Sequence, residues 1–312
     1  FLQSAQAAGL PLIDDYNVPE PYGAFMYQVT QKNGERCSTA KAYLTPNLGR
    51  PNLHIVTGAL TRRVLFDGRK TVGVLADIGG QEITLSARRE VILSAGAFGS
   101  PQILQLSGIG AGDFLRGKGI DPVHELPGVG ENLQDHIDYV YSYRTGVDTD
   151  TFGLSVRGGL RVLHGIQQWH TRRTGLLTSP YAESGAFFFS SFEAAIPDLQ
   201  LVFVQALVDD HGRKLHYGHG FSCHVTLLRP KSRGSVRIGT TDAADAPHID
   251  NAFFSNTDDM HVLREGANLQ RRILDGQAFD AVRGKALYAL DQSDANAIEQ
   301  DIRNRADTQY HP

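Results

Sequence analysis

The sequence predicts a mixed α+β and α/β fold, and three observations lead to that prediction. Short strand-like runs separated by Asp-Gly and Gly-Gly turns fill residues 62–86, which is typical of an antiparallel meander. Residues 90–106 read as a strand, a glycine turn and a helix, the order of an α/β unit. Residues 183–276 hold several strands followed by an amphipathic helix, which indicates a large antiparallel or mixed sheet flanked by helices.

The composition excludes some classes of function. The 312 residues are 41% hydrophobic, enough for a sizeable core, and 30 basic against 34 acidic residues give a net charge of −4. This balance predicts no nucleic-acid partner and no evident membrane association, and no apolar run approaches the roughly 18 residues of a membrane span. The two distant cysteines, Cys37 and Cys223, favour a cytoplasmic location, with peripheral attachment to the inner membrane left open.

The stretch SAGAFGSPQILQLSGIG at residues 94–110 is the most informative part of the chain. It follows the apolar run at residues 90–93, which we predict to be a buried strand. Its small residues would let another molecule lie against the backbone, and Ser100-Pro101 predicts an N-cap with proline at the first helical position. The turn is either an ordinary core connection or a ligand-contacting turn whose free N–H groups suit an anion.

This stretch resembles the second signature of the glucose–methanol–choline (GMC) oxidoreductases, and the block PGVGENLQDH follows in the family's order. The later segment LVDDHGRKLHYGHG, at residues 207–220, resembles the bacterial alcohol and choline dehydrogenase branch of the family. The resemblance implies a partial FAD-binding domain at residues 1–135, a substrate-binding domain at 136–305 and a return to the FAD domain at 306–312. It also implies a fragment that lacks the N-terminal FAD fingerprint and the C-terminal end, because both short Gly-x-Gly runs lack the third glycine of that motif.

The same resemblance implies which residues contact FAD. Backbone near the first turn of the meander approaches the adenine, and Thr61 is our choice there. Ala95 and Gly96 in the glycine turn, Asn132 in the second block and Pro312 beside the last histidine complete the predicted cofactor-binding set.

Residues 308–312, TQYHP, match the first half of the family's T-x-x-H-P motif, whose histidine faces the flavin N5. By itself, a histidine near a chain end is most often a solvated side chain. The resemblance instead makes His311 the catalytic base, and we predict that the neighbouring Tyr310 contacts the substrate. An imidazole suits a base that takes the hydroxyl proton while hydride leaves the carbon of an alcohol.

Glu183 is the second predicted substrate-binding residue. In choline-oxidising members of the family, the matching glutamate faces the substrate cavity, where a carboxylate and aromatic rings suit a trimethylammonium group. The alternative is a glutamate that pairs with an arginine or caps a turn. The four histidines between residues 211 and 224 invite a metal site, but their spacing does not place three on one side of a regular element, so we predict none.

Three further elements bear on the fold. Residues 52–57, NLHIVT, predict a strand, and residues 258–276 predict a helix with a buried stripe. Leu160, Leu163, Ile166 and Trp169 recur at helical spacing, and we predict that this stripe packs in the core.

The sequence thus predicts FAD-dependent oxidation of a primary alcohol, choline-like, aliphatic or aromatic, to the aldehyde. Electrons would pass from FAD to a quinone or another acceptor. Two alternatives stay open: a hydroxynitrile lyase of the same family, and a catalytically silent fragment without flavin.

Overall fold

The computed structural model describes residues 1–147, 151–191, 194–291 and 293–311. Its α-helices are α1 Leu2–Ala7, α2 Gly96–Leu106, α3 Gly112–Gly117, α4 Val156–Arg172, α5 Thr257–Leu274 and α6 Ala295–Arg305. Its strands are β1 Gly23–Met26, β2 Gln31–Lys32, β3 Glu35–Arg36, β4 Ala59–Asp67, β5 Lys70–Ile78, β6 Gln81–Ser86, β7 Ile109–Gly110, β8 His124–Glu125, β9 Glu131–Leu133, β10 Ile137–Thr145, β11 Gly153–Leu154, β12 Ala182–Phe188, β13 Leu199–Val204, β14 Gly218–Leu227, β15 Gly234–Arg237, β16 His248–Asp250 and β17 Asp307–Thr308. Short helical turns of the π or 3₁₀ type are Ala40–Leu44, Thr45–Asn47, Leu176–Thr178, Asp210–Gly212 and Gln277–Phe279.

The chain forms two compact units. Unit 1 comprises Phe1–Leu48, Asp135–Lys231 and Asn256–Pro312, and unit 2 comprises Gly49–Gln134 and Ser232–Ser255. One division between the units therefore falls beside residue 135, where we expect the FAD-binding domain to end. The assignment of FAD binding and substrate binding to parts of the chain stays a prediction.

Unit 1 is built on a large antiparallel sheet. Among the described residues its strands lie in the order β1-β12-β13-β14-β10-β17, with β11 also paired to β14. Helix α5 packs on β14, β13 and β10. The predicted helix at residues 258–276 is confirmed, and its whole stripe is buried: Met260, Leu263, Ala267, Gln270 and Leu274.

Helix α5 approaches the sheet closely at a glycine. A Cβ placed on Gly266 would lie 2.6 Å from Val225 Cγ2 and 2.9 Å from Leu199 Cδ2. These distances are shorter than van der Waals contact, so only glycine lets the helix come this near to the two central strands without displacing a side chain.

Strand β14 is buried on both faces. Its apolar side chains include Cys223 and Val225, while Ser222, His224 and Thr226 alternate with them and are equally inaccessible. Apolar and polar side chains therefore alternate along the strand, but the polar side forms a buried hydrogen-bonded layer instead of facing water.

Helix α4 forms as predicted, but the prediction that its apolar stripe packs in the core is wrong. Leu160, Leu163 and Ile166 are exposed, and Trp169 is half-buried. The buried positions of this helix are glycines, Gly158 and Gly165. The sequence period identified an apolar face correctly, but it carries no information about which face meets the rest of the protein.

Unit 2 contains the predicted meander, with β4, β5 and β6 in sequential antiparallel order. A second sheet has the order β16-β15-β9, and β7 pairs with β8 in parallel. Helix α2 packs against β4 and β15. Its last turn is tied down by Gln105, whose amide bonds the Val236 carbonyl and the Ile238 N–H at 2.9 Å each.

Two predicted strands of this unit are absent. Residues 52–57 and 90–93 are irregular, and Ile92 is 76% exposed. A buried strand needs neighbours that satisfy its backbone, and these segments pair with no strand of the described residues, so the apolar run alone does not make a ladder.

The start of α2 also differs from the prediction. The helix begins at Gly96, and Pro101 lies inside it. Ser100 is thus helical, and its Oγ accepts from the Ala95 N–H at 3.1 Å. The predicted stop after residue 106 is confirmed, because Ser107 is the C-cap and Gly108 has a φ of +82°.

Candidate active site

His311 follows a two-residue strand that is anchored to the sheet of unit 1. Strand β17 pairs with β10, placing Ile137 opposite Thr308. The pairing continues past the strand end, because the Gln309 N–H donates to the His136 carbonyl at 2.9 Å and the His136 N–H donates to the His311 carbonyl at 3.2 Å. The backbone of the predicted base is thereby fixed on both sides of its side chain.

A buried carboxylate lies beneath this anchor. Asp138, on β10, is 1% exposed and accepts from His224 Nδ1 at 2.6 Å and from the Thr226 hydroxyl at 3.1 Å. The Gln309 amide, oriented by its hydrogen bonds, donates to both Asp138 oxygens at 3.1 and 3.2 Å. A side chain two residues before His311 is therefore tied to the polar layer of the sheet.

A second imidazole lies beside the predicted base. The rings of His136 and His311 are 5.1 Å apart and nearly perpendicular. Burial lowers the pKa of His136, and the neighbouring His311 lowers it further. Because His136 Nε2 lies 3.1 Å from the Leu228 carbonyl, this nitrogen carries the proton in the neutral ring. Its buried Nδ1 has no hydrogen-bond partner among the described residues, which leaves an acceptor near His311.

His311 also lines a large cavity of unit 1. This cavity has a volume of about 1170 Å³ and is lined by tyrosines, glutamines and small polar side chains together with His311. Among the described lining residues Arg36 alone carries a formal charge, and none is a carboxylate. The cavity is large enough for an organic molecule and has no anionic group for a cation.

The two predicted substrate-binding residues lie outside that lining. Tyr310 is 68% exposed, has a φ of +69° and stacks edge-on against His211 at 5.0 Å. Glu183 is half-buried at an irregularity of β12, and its carboxylate accepts from Gln205 Nε2 at 2.6 Å. A substrate contact by either residue stays a prediction.

The remaining predicted cofactor residues lie in unit 2, and Pro312 lies outside the described residues. Thr61 is half-buried beside an irregularity of β4, and Asn132 is exposed on β9 with a φ of +61°. Ala95 and Gly96 form the exposed start of α2.

The start of α2 suits a bound cofactor. The helix has no side-chain cap and no acidic residue in its first turn, so N–H groups and the positive end of the helix dipole are available to a ligand. Gly96 has a φ of +78°, and no atom lies within 4 Å of the space a Cβ would occupy. An anionic group such as the pyrophosphate of FAD could approach this backbone closely, so the residues present fit the cofactor.

The four histidines considered for a metal site have separate partners. His216 bonds Asp209 at 2.6 Å, His219 bonds Ser155 at 2.8 Å, and His224 bonds Asp138. His211, the fourth, packs edge-on against Tyr310, so each of the four side chains has a structural partner. Cys37 and Cys223 are both free thiols.

Sequence reasoning missed His136, Asp138 and Gln309. The block PGVGENLQDH ends at His136, so the motif itself was the available signal, but nothing in it predicts proximity to His311. That proximity arises from the register between β10 and β17.

Comparison with known proteins identifies the family. Residues 1–138 and 230–312 match the N-terminal and C-terminal domains described as GMC oxidoreductase, together well over half of the chain. An alcohol dehydrogenase [acceptor] of Pseudomonas putida is 39% identical over 320 residues, covering all of this chain and 57% of the relative. An oxygen-dependent choline dehydrogenase of Pectobacterium carotovorum is 37% identical, covering all of this chain and 56% of the relative.

The fold has solved counterparts. A variant of Aspergillus oryzae formate oxidase, made to study FAD modification, has a TM-score of 0.88 and 25% identity, covering 99% of this chain and 58% of that one. The chain spans little more than half the length of the curated relatives it matches. On the matched domains, the relatives and the fold, the chain belongs to the GMC oxidoreductase family.

Proposed function

We propose that this chain is the central and C-proximal part of an FAD-dependent enzyme that oxidises an uncharged primary alcohol to the aldehyde. The observation that carries the proposal is an imidazole, His311, that lines a large cavity without a carboxylate among its described lining residues, on a backbone held by hydrogen bonds at Gln309 and at the His311 carbonyl. The names of its relatives support the reaction class, since one is an alcohol dehydrogenase and another a choline dehydrogenase.

In this proposal His311 takes the hydroxyl proton of the alcohol. His136, whose lowered pKa favours the neutral ring, adds no second positive charge beside the protonated base. The hydrogen bonds of Gln309 to the sheet, and of the His136 N–H to the His311 carbonyl, hold the backbone that carries the imidazole while the proton transfers. FAD, when bound, accepts the hydride that leaves the alcohol carbon. The exposed backbone of Ala95 and Gly96 would hold FAD, together with Thr61, Asn132 and Pro312.

The charge of the cavity argues for a neutral substrate over choline. A quaternary ammonium group requires a carboxylate or a cage of aromatic faces to replace its hydration. The described lining offers Arg36 and no carboxylate, and Glu183 lies outside it with its carboxylate bonded to Gln205. Two of the lining tyrosines, Tyr43 and Tyr181, are 71% and 50% exposed, so they do not enclose a cation. We therefore propose aliphatic or aromatic alcohols, with a quinone or another acceptor receiving the electrons from FAD.

The test uses the whole purified protein, its flavin absorbance and a dye acceptor. We expect His311→Ala to retain the flavin spectrum and to lower kcat for a primary alcohol by about 10²–10⁴-fold. His124→Ala, which removes an exposed histidine of β8, is the matched control and should leave kcat unchanged. Full activity of His311→Ala would refute the role of that base.

The same preparation distinguishes the alternatives. Cyanide release from a cyanohydrin without dye reduction would identify a hydroxynitrile lyase. A mass equal to the 34.1 kDa of this sequence with no flavin absorbance would identify a silent fragment. A higher kcat/KM for choline than for butanol or benzyl alcohol, lost in Glu183→Gln, would refute the neutral-substrate proposal while leaving the reaction class intact.

A further inference from the structure

One wall of the cavity that His311 lines is a strand of the large sheet. Gln200 and Val202 of β13 are both half-buried and both line the cavity, and they lie two residues apart on the same face of the strand. Gln200 lies opposite Thr226 of β14, which lies opposite Asp138 of β10. A row of polar side chains across three strands therefore joins Gln200 to the buried layer beneath the predicted base.

The orientation of the Gln200 amide is fixed by Tyr27. Burial raises the pKa of the Tyr27 hydroxyl, which keeps its proton and donates it to the Leu201 carbonyl at 3.1 Å. The hydroxyl oxygen accepts from Gln200 Nε2 at 2.6 Å. A Cβ on Gly185 would lie 2.7 Å from Tyr27 Cζ, so the ring is closely packed against the sheet. Because Tyr27 holds the nitrogen, the amide oxygen Oε1 is the atom left for the cavity.

Gln200 Oε1 is available to a ligand. No described residue donates a hydrogen bond to this oxygen, and it is not enclosed in the protein interior. Two other glutamines of the lining differ from it: Gln28 uses both ends of its amide on neighbouring side chains, and Gln31 is an exposed residue of β2. The sheet wall thus presents one oriented acceptor beside the apolar side chain of Val202. Such an acceptor suits a neutral hydrogen-bond donor at the far end of an apolar chain.

We propose that Gln200 Oε1 accepts a hydrogen bond from a second hydroxyl group of the substrate, so that the site prefers α,ω-diols to simple primary alcohols. This inference rests on the proposed oxidation at His311 and specifies its substrate. Taken as a sphere, the cavity of about 1170 Å³ is about 13 Å across, and three strand spacings, about 14 Å, separate β13 from β17. A diol of roughly six to ten carbon atoms is long enough to place one hydroxyl at His311 and the other at Gln200, with its chain against Val202.

The experiment compares 1,8-octanediol with 8-methoxy-1-octanol, whose distal oxygen cannot donate, using the whole flavin-loaded protein and a dye acceptor. We expect kcat/KM to be about fivefold to tenfold higher for the diol, more than the statistical gain from two equivalent hydroxyl groups, because one hydrogen bond is lost in the ether. Gln200→Leu should reduce the preference to the statistical value, whereas Gln200→Glu, which keeps an acceptor oxygen, should retain it. Gln300→Leu, at an exposed glutamine of α6, is the matched control and should leave the preference unchanged.

Two further measurements separate this inference from the proposed function. Tyr27→Phe removes the hydroxyl that orients the amide, so its preference should fall between those of the wild type and Gln200→Leu. Calorimetry with the His311→Ala variant measures binding without turnover, and the diol should bind more tightly than the ether by a factor similar to that in kcat/KM. Equal binding of the two compounds, or a preference that persists in Gln200→Leu, would overturn the inference. A binding difference without dye reduction by any alcohol would support the role of Gln200 and refute the proposed oxidation.

Discussion

Replacing Asp138 by leucine is expected to destabilise unit 1 by about 2–6 kcal/mol. The carboxylate is the acceptor for His224 at 2.6 Å, Thr226 at 3.1 Å and the Gln309 amide at 3.1 and 3.2 Å. His224 and Thr226 are both buried, and each buried donor left without a partner costs about 1–3 kcal/mol, while the more accessible Gln309 adds less. Leucine can accept none of these bonds, and its larger side chain at a position that is 1% exposed adds overpacking to the loss.

Asp138→Asn is the matched control. Its amide keeps one acceptor oxygen, and the Thr226 hydroxyl and the Gln309 carbonyl can accept from its NH₂ group, so we expect a loss of about 1–2 kcal/mol from the missing charge. Urea unfolding followed by circular dichroism measures both variants. Since Gln309 lies two residues before His311, Asp138→Asn should also lower kcat for an alcohol more than it raises KM. Leucine and asparagine variants that lose the same stability would refute the hydrogen-bond argument.

Three more variants or reactions test the structure. Gly266→Ala should destabilise the protein by about 1–2 kcal/mol, because its Cβ would lie 2.6 Å from Val225 Cγ2. In the control variant Gly159→Ala the new Cβ has no atom within 4 Å, so this change should stabilise α4 by about 0.5–1 kcal/mol. Equal effects of the two variants on the free energy of unfolding in urea would contradict the packing argument. Because the pKa of His136 is lowered in the folded protein, its contribution to the free energy of unfolding is fully present above about pH 6.5 and decreases as the pH falls towards the lowered pKa. His136→Gln should therefore make the free energy of unfolding less dependent on pH over this acidic range. An unchanged pH profile would show that another group titrates. Burial raises the pKa of the Cys223 thiol, so mass spectrometry after brief iodoacetamide treatment should find the adduct on Cys37, and early modification of Cys223 would disprove its burial.

Elements whose sequence carries their own periodicity and stop signals were predictable. The meander of β4, β5 and β6 has turn glycines at the expected places, and α5 has both a buried stripe and a defined end. Residues 52–57 and 90–93 were not predictable in this way, because an apolar run becomes a strand only when other strands pair with it. The stripe of α4 failed for a related reason: an amphipathic period reports a face but does not identify what covers it.

Only part of the candidate site was predictable from the sequence. Motif resemblance identified His311 and the turn at Gly96, because their sequence neighbours are distinctive. His136 and Asp138 could not be assigned a role from local sequence. They come close to the chain end only through the register of β10 with β17, which joins segments that lie far apart in sequence. Contacts of this kind depend on the whole sheet having formed.

The sheet of unit 1 therefore serves two different purposes on its two faces. One face of β14 packs its apolar side chains against the central helix α5 and supplies stability through close contacts such as that at Gly266. The other face is a buried polar layer in which Asp138 joins β10, β14 and the segment that leads to His311. Hydrogen bonds have strict directions and apolar contacts do not, so the polar face can hold the backbone segment that carries His311 in a defined position, whereas an apolar core would hold it less precisely. A buried carboxylate is normally costly in a sheet interior, but Asp138 here fixes the segment that leads to the candidate base.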